Sequence, residues 1–334
     1  MSIKKVANIA GVSIATVSRF FNNPNQVSKQ TREKVEEAIK RINYTPNTLA
    51  QNLRRGKTGL VIVVIPRISS PLYESIVKQL NQAAKANGYH LLVKEAGFNS
   101  LPLDYYQQMI RCKQADGFIL LVGLADKDLS KIEKNLPIVL ACEPYQFNGM
   151  EYPLPCMTID YSLAAQEATE YLIHLEHKAI AFMARDHEPL TVSEQQSGYQ
   201  SAMEENKLPV IGRFLNHEYD RLSIQEKLQK LLDTAPRPTA ILCSDDDTAI
   251  ELLHCIKTLG LRVPEDISVM GFNNVRYTEM TDPPLTTVHQ PMIDIGDTAM
   301  NTLLALIDGD LPPNKDKEFN HKIIIRNSTS RATP

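Results

Sequence analysis

The sequence is poor in the features that mark membrane, secreted and metal-framed proteins. No purely apolar run exceeds six residues, the length of Leu60–Ile65, which stops at Pro66; a bilayer-spanning helix needs ~20. The N-terminal MSIKKVANIAGVS is basic, but Asn8 and Gly11 interrupt it before an apolar secretory core can form, so no export signal or membrane segment is read and the expected compartment is the cytoplasm. The five cysteines, Cys112, Cys142, Cys156, Cys243 and Cys255, are odd in number, widely spaced and never CxxC. That pattern suggests neither a disulfide framework nor a zinc knuckle. Among the fourteen glycines there is no GxGxxG and no GxSxG, which removes the simplest dinucleotide and hydrolase readings. Gly56-Lys57-Thr58 mimics the tail of a phosphate-binding loop, yet Gln51 stands where that loop needs its first glycine.

What is present fits an ordinary globular chain. Its 334 residues, 43% hydrophobic and 22% charged, are enough for two domains, or two with a small appendage. The charge is unevenly spread. Residues 1–57 hold eleven Lys/Arg against Glu33, Glu36 and Glu37, a balance of +8, whereas the rest holds 25 basic and 36 acidic residues. A basic head on an acidic body is the footprint of a polyanion-binding module joined to something with another task.

Hydrophobic spacing divides the chain the same way. Ile3, Val6, Ala7 and Ala10 recur at helical spacing until Gly11-Val12. Ser13 is placed to cap a second helix with Val17, Phe20 and Phe21 on its apolar side. Ser28 is placed to cap a third, whose stripe is Val35, Ala38, Ile39 and Ile42. Thr45-Pro46 then opens a short basic segment through Leu49 and Leu53 to Arg54-Arg55, too short to be a stable helix alone. Beyond residue 58, short apolar strands alternate with amphipathic helices in two series of about 100 residues each, the pattern of two lobes built on parallel sheets. Ligands of such sheets sit beyond the carboxyl ends of the strands, so a cleft between the lobes is the expected binding place.

Two clusters draw attention and carry little. Glu170, His174 and His177 stand at i, i+4 and i+7, but with no second ligand cluster they read as a solvated helix face. Asp245-Asp246-Asp247 follows a strand end and lacks the spaced oxygens of a calcium loop, which favours helix capping and cleft lining over catalysis.

The head's Val12-Ser13-Ile14-Ala15-Thr16-Val17-Ser18-Arg19, with Asn22, Val27-Ser28, Thr31-Arg32 and Tyr44-Thr45-Pro46, closely resembles the DNA-binding domain of the lac/galactose repressor family. The likeness runs on through 263–272 (VPEDISVMGF) and 285–291 (LTTVHQP). Asp282-Pro283-Pro284 and the ending Ile324-Ile325-Arg326-Asn327-Ser328-Thr329 are most similar to the branch of that family that responds to a nucleoside.

The resemblance implies an α/β fold: a three-helix helix-turn-helix head at 1–46, a hinge helix at 47–58, and a two-lobed periplasmic-binding-protein-like core with parallel sheets at 59–334. Its N-lobe would be about 59–159 and 291–320, and its C-lobe about 160–290 and 321–334. It implies a homodimeric, non-enzymatic repressor of double-stranded operator DNA that uses no cofactor or metal and answers to a small effector. A nucleoside such as cytidine is expected, with a sugar or purine as the alternative. DNA contacts are expected from Ser13, Ile14, Ala15, Thr16, Ser18, Arg19 and Asn22, with Leu53 as a minor-groove wedge and Arg54 at phosphate. Arg19 suits guanine O6 and N7, whereas Ile14 and Ala15 suit thymine methyl groups. The effector positions implied are Leu72, Tyr73, Asp160, Thr191, Gln195, Tyr219 and Asn273. The family usually carries arginine where Gln195 stands and aspartate where Asn273 stands, so charge-assisted hydrogen bonds are lost at both places.

Overall fold

A computed structural model describes residues 2–44, 56–97, 101–124, 136–142, 154–185, 190–216, 221–310 and 316–333. The chain forms two units, residues 1–58 and 59–334.

Among its described residues the first unit holds three α-helices, α1 (Ile3–Ala10), α2 (Ile14–Asn22) and α3 (Lys29–Ile42). Gly11 ends α1 at φ +64°, a left-handed geometry that a side chain resists, and its N–H donates to carbonyls of the last turn. Two residues on, Ser13 caps α2: its Oγ accepts from the Thr16 N–H at 3.1 Å. Ser28 does the same for α3 through the Thr31 N–H. Val6, Ala7, Ala10, Val17, Val35 and Ala38 form the small core, with Phe20, Phe21 and Tyr44 against it. Helices this short are marginal in water, so their apolar faces hold the unit together.

The described residues of the second unit form two six-stranded sheets. In the first lobe run β1 (Leu60–Ile65), α4 (Leu72–Ala86), β2 (His90–Glu95), α5 (Leu103–Arg111), β3 (Gly117–Leu120), β4 (Ile138–Ala141) and β5 (Cys156–Ile159). The second lobe follows with α6 (Tyr161–His174), β6 (Ile180–Arg185), α7 (Leu190–Glu205), β7 (Ile211–Asn216), α8 (Arg221–Leu232), β8 (Ala240–Cys243), α9 (Asp246–Thr258), β9 (Ser268–Asn273) and β10 (Thr286–His289). The chain then returns through α10 (Met292–Asp308) and β11 (Asp316–Phe319) to the first lobe and ends with β12 (Lys322–Ile324) in the second. The sheet orders are β11-β5-β4-β3-β1-β2 and β12-β10-β9-β8-β6-β7. Each lobe therefore repeats one doubly wound order. Pairing is parallel except where β12 runs antiparallel to β10.

Strands β3, β4 and β8 are buried along their whole length, which is why they read as unbroken apolar runs rather than as alternating ones. The edge strand β2 instead alternates between exposed and half-buried residues. On the return pass α10 packs on α4 and the first sheet, so the first lobe is completed only by a segment from late in the chain. The lobes are joined by three crossings, after β5, after β10 and between β11 and β12. The Glu170, His174 and His177 grouping does not survive as one helical face, because α6 ends at His174. His177 turns inward and bonds Thr239 Oγ1 at 2.9 Å and the Ser330 carbonyl at 3.0 Å.

Candidate functional site

In the head, the burial of Val17 fixes which side of α2 looks outward. Ile14, Ala15 and Arg19 are exposed, Ile14 by 40%, and Thr16 and Ser18 are half-buried. At 100° per residue, positions 14, 15, 18, 19 and 22 share one face, Val17 and Phe20 lie on the opposite one, and Phe21 falls at the boundary between them, beside position 14. Ser13 holds the helix start, with its Oγ also 2.8 Å from Thr16 Oγ1. The start of the helix and the apolar pair Ile14 and Ala15 thus lie at the exposed end that can approach a duplex. Leu53 and Arg54 lie outside the described residues.

In the core, a cleft of about 750 Å³, its open mouth included, lies where strand ends of the two lobes meet. Its walls include Arg67 just past β1, Leu72 and Tyr73 at the start of α4, Thr191 and Gln195 on α7, and Asn273 at the end of β9. Five of the sequence-derived effector positions therefore converge. Tyr219 lies outside the described residues.

Asp160 departs from the expectation. Its carboxylate caps α6, accepting from the Leu163 N–H at 2.8 Å, and it lines a different cavity with Ser162, Glu194 and Glu318. There the poorly hydrated Glu194 carboxyl, facing Asp160, is pushed up to about 7.

Hydrogen bonds hold the cleft walls. Asn273 sits at φ +110°, and its Oδ1 accepts from Gln290 Nε2 at 2.6 Å. The single proton of the Tyr161 hydroxyl is shared between the Cys142 carbonyl at 2.5 Å and Gln290 Oε1 at 3.0 Å. Residues 142, 161 and 290 flank β4 and two lobe crossings, so the network ties a cleft residue to the joints between the lobes. Outside the cleft, Arg276 reaches Glu74 of the first lobe at 3.2 Å.

The three aspartates after β8 divide their work. Asp245 caps α9, accepting from the Thr248 N–H at 2.7 Å, and it lines the cleft with Asp247. Asp246 is wholly buried and accepts from Thr287 Oγ1 at 2.6 Å and the Val275 N–H at 2.8 Å. Burial holds its carboxyl well above the usual range, against the pull of those two bonds. Among the described residues no group of three or more His, Cys, Asp or Glu side chains could hold a metal ion. Nor is any described helix long and apolar enough to cross a membrane.

Comparison with known proteins decides the relationship. Residues 2–47 match the family described as "Bacterial regulatory proteins, lacI family", and residues 169–329 match the "Periplasmic binding protein-like domain". Catabolite control protein A of Priestia megaterium is 34% identical over 335 residues, covering 98% of this chain and 99% of that protein. The chain belongs to the lacI family. The HTH-type transcriptional repressor CytR of Escherichia coli K12 is 33% identical, with 100% and 97% covered. Among solved structures, a lac repressor dimer bound to operator and the anti-inducer ONPF superposes with a TM-score of 0.84 at 26% identity, covering 99% of both chains. As a lacI-family member, the chain is a DNA-binding transcriptional repressor regulated through an effector-binding core.

Sequence reasoning missed several walls of this lacI-type cleft. Arg67, Cys142, Tyr161, Ser244 and Gln290 line it and were not singled out as effector contacts. Arg67 and Ser244 follow the ends of β1 and β8, where the strand-end rule points. Tyr161 and Gln290 carry no such local sign, since only the lobe crossings bring them there.

Proposed function

We propose that the protein is a homodimeric repressor whose two heads read a pseudo-palindromic operator and whose inter-lobe cleft binds a nucleoside such as cytidine, weakening the hold on DNA. The observation that carries the DNA half is the outward face of α2, with Ile14, Ala15 and Arg19 clear of the head's core. Arg19 there supplies the fork that pairs with guanine, and Ser13, Thr16, Ser18 and Asn22 supply short polar contacts around it. Leu53 and Arg54 act as wedge and phosphate contact in the hinge.

The effector half rests on the company around the cleft. Tyr73 offers a flat face for a base or sugar, and Thr191, Gln195 and Asn273 offer hydrogen bonds to hydroxyls or base edges. The nucleoside shifts the operator equilibrium by its difference in affinity for the two lobe arrangements. The cleft is a binding site that calls for no cofactor and does no chemistry, and the protein works in the cytoplasm. A sugar or purine is the alternative effector, because the same polar groups fit ring hydroxyls. On a duplex selected from random sequence, a gel-shift titration should show release by one of cytidine, uridine or adenosine. Release only by sugars or purine bases would favour the alternative, and no response to any of them would end the effector reading while leaving the DNA reading intact.

A further inference from the structure

Gln195 lies in the second turn of α7, 3% exposed, on the wall of the cleft. Its amide has one permitted orientation. Nε2 sits 3.1 Å from the Ser244 carbonyl, and a carbonyl only accepts, so the nitrogen must be the end that faces it. The other end, Oε1, is sealed from solvent and has no hydrogen-bond partner in the protein. A buried acceptor left unmet is costly and asks for a donor. The wall around it is not one that welcomes an anion: Ser244 leads directly into Asp245, and Asp247 lines the same cleft, with Arg67 the cation among the described lining residues.

Resting on the reading of the cleft as the effector site, we propose that the effector group meeting Gln195 is an uncharged hydrogen-bond donor, a hydroxyl or an N–H. A carboxylate, phosphate or ring carbonyl is rejected at that end. Arginine, usual at this position in the family, only donates. The substitution therefore reverses the polarity of the wall, from one that seeks acceptors on the ligand to one that seeks donors. Selectivity of this kind is strong, because a ligand without the donor leaves Oε1 unpaired in the complex.

The test uses the full chain. Cytidine, uridine, adenosine, ribose and glucose are first screened by melting-temperature shift. For the compound that binds, analogues lacking one hydroxyl or N–H in turn (for cytidine, the 2′-, 3′- and 5′-deoxy forms) are titrated by calorimetry into wild type and Gln195→Met. One deletion should weaken wild type by about tenfold or more and Gln195→Met by no more than about twofold. Gln195→Arg, which keeps a polar wall but turns it into a donor, should lose affinity for the intact compound by about tenfold or more, and serves should Gln195→Met fail to fold. Equal penalties for every deletion in wild type and Gln195→Met, or undiminished binding by Gln195→Arg, would overturn the proposal and leave the cleft as effector site standing. Failure of all five compounds to shift wild type would overturn the cleft reading itself, and this proposal with it.

Discussion

Gly198→Ala is the substitution whose consequence is most directly fixed by the geometry of the core. Gly198 lies midway along α7, where α7 crosses α6. A Cβ there would run into the Ser162 carbonyl oxygen and stand 2.8 Å from its carbon and 2.9 Å from the Gln166 nitrogen. These are backbone atoms of α6, so no side chain can swing aside. Ordinary contacts between such atoms lie at about 3.5–4.0 Å, and the carbonyl oxygen is the nearest of the three, so the two helices must part by more than about 1 Å. Overpacking of this kind costs about 1–3 kcal/mol, and a clash against backbone belongs at the upper end. At roughly 2–4 °C per kcal/mol for a domain near this size, the core should melt about 6–12 °C lower. The same shift moves Thr191 and Gln195, which share α7, away from the opposite wall, so affinity for a cleft ligand should fall as well. Scanning calorimetry on the full chain reads the first effect and ligand titration the second. A melting point within about 1 °C of wild type would show that α6 and α7 are not packed backbone to backbone, and the description of this cleft wall would fall with it.

Further expectations concern the head and the acidic cavity. Ser13→Ala removes the cap on α2 and should cost about 1 kcal/mol, read as about fivefold faster hydrogen exchange of the first amides of α2 in the full chain; unchanged exchange would contradict the capping role. Glu194 has its folded pKa raised from 4.5 to about 7. Its stabilising contribution is therefore complete below about pH 4.5 and is lost as pH rises through about 7. Glu194→Gln should melt progressively higher than wild type as pH climbs from 5 to 8, and parallel melting curves would refute the assignment.

Much of the fold was legible because its physics is local. Strands covered on both faces must be apolar along their whole length, and β1, β3, β4 and β8 stand out in the sequence for that reason. Ser13 and Ser28 announce their helices because a cap acts only three residues ahead. The outward face of α2 followed from the placing of Val17, Phe20 and Phe21. The cleft was harder to read. Asp160 illustrates one cause: an aspartate between a strand and a helix can line a site or cap the helix, and here it caps α6, which spacing alone does not tell. Asp246 illustrates another, since nothing in three consecutive aspartates marks the one that turns inward to hold the 275 loop. Tyr161 and Gln290 illustrate a third, because they meet across 129 positions of chain.

The most direct test of the central claim, that the exposed face of α2 reads base pairs, is selection of binding sites from random duplex DNA by wild type and by Arg19→Ala. Wild type should enrich a two-fold symmetric site with a guanine at one position of each half. Arg19→Ala should lose that preference at about 1–3 kcal/mol while keeping its affinity for random DNA nearly unchanged. Equal losses on selected and random DNA, or an unaltered preference in the variant, would contradict it.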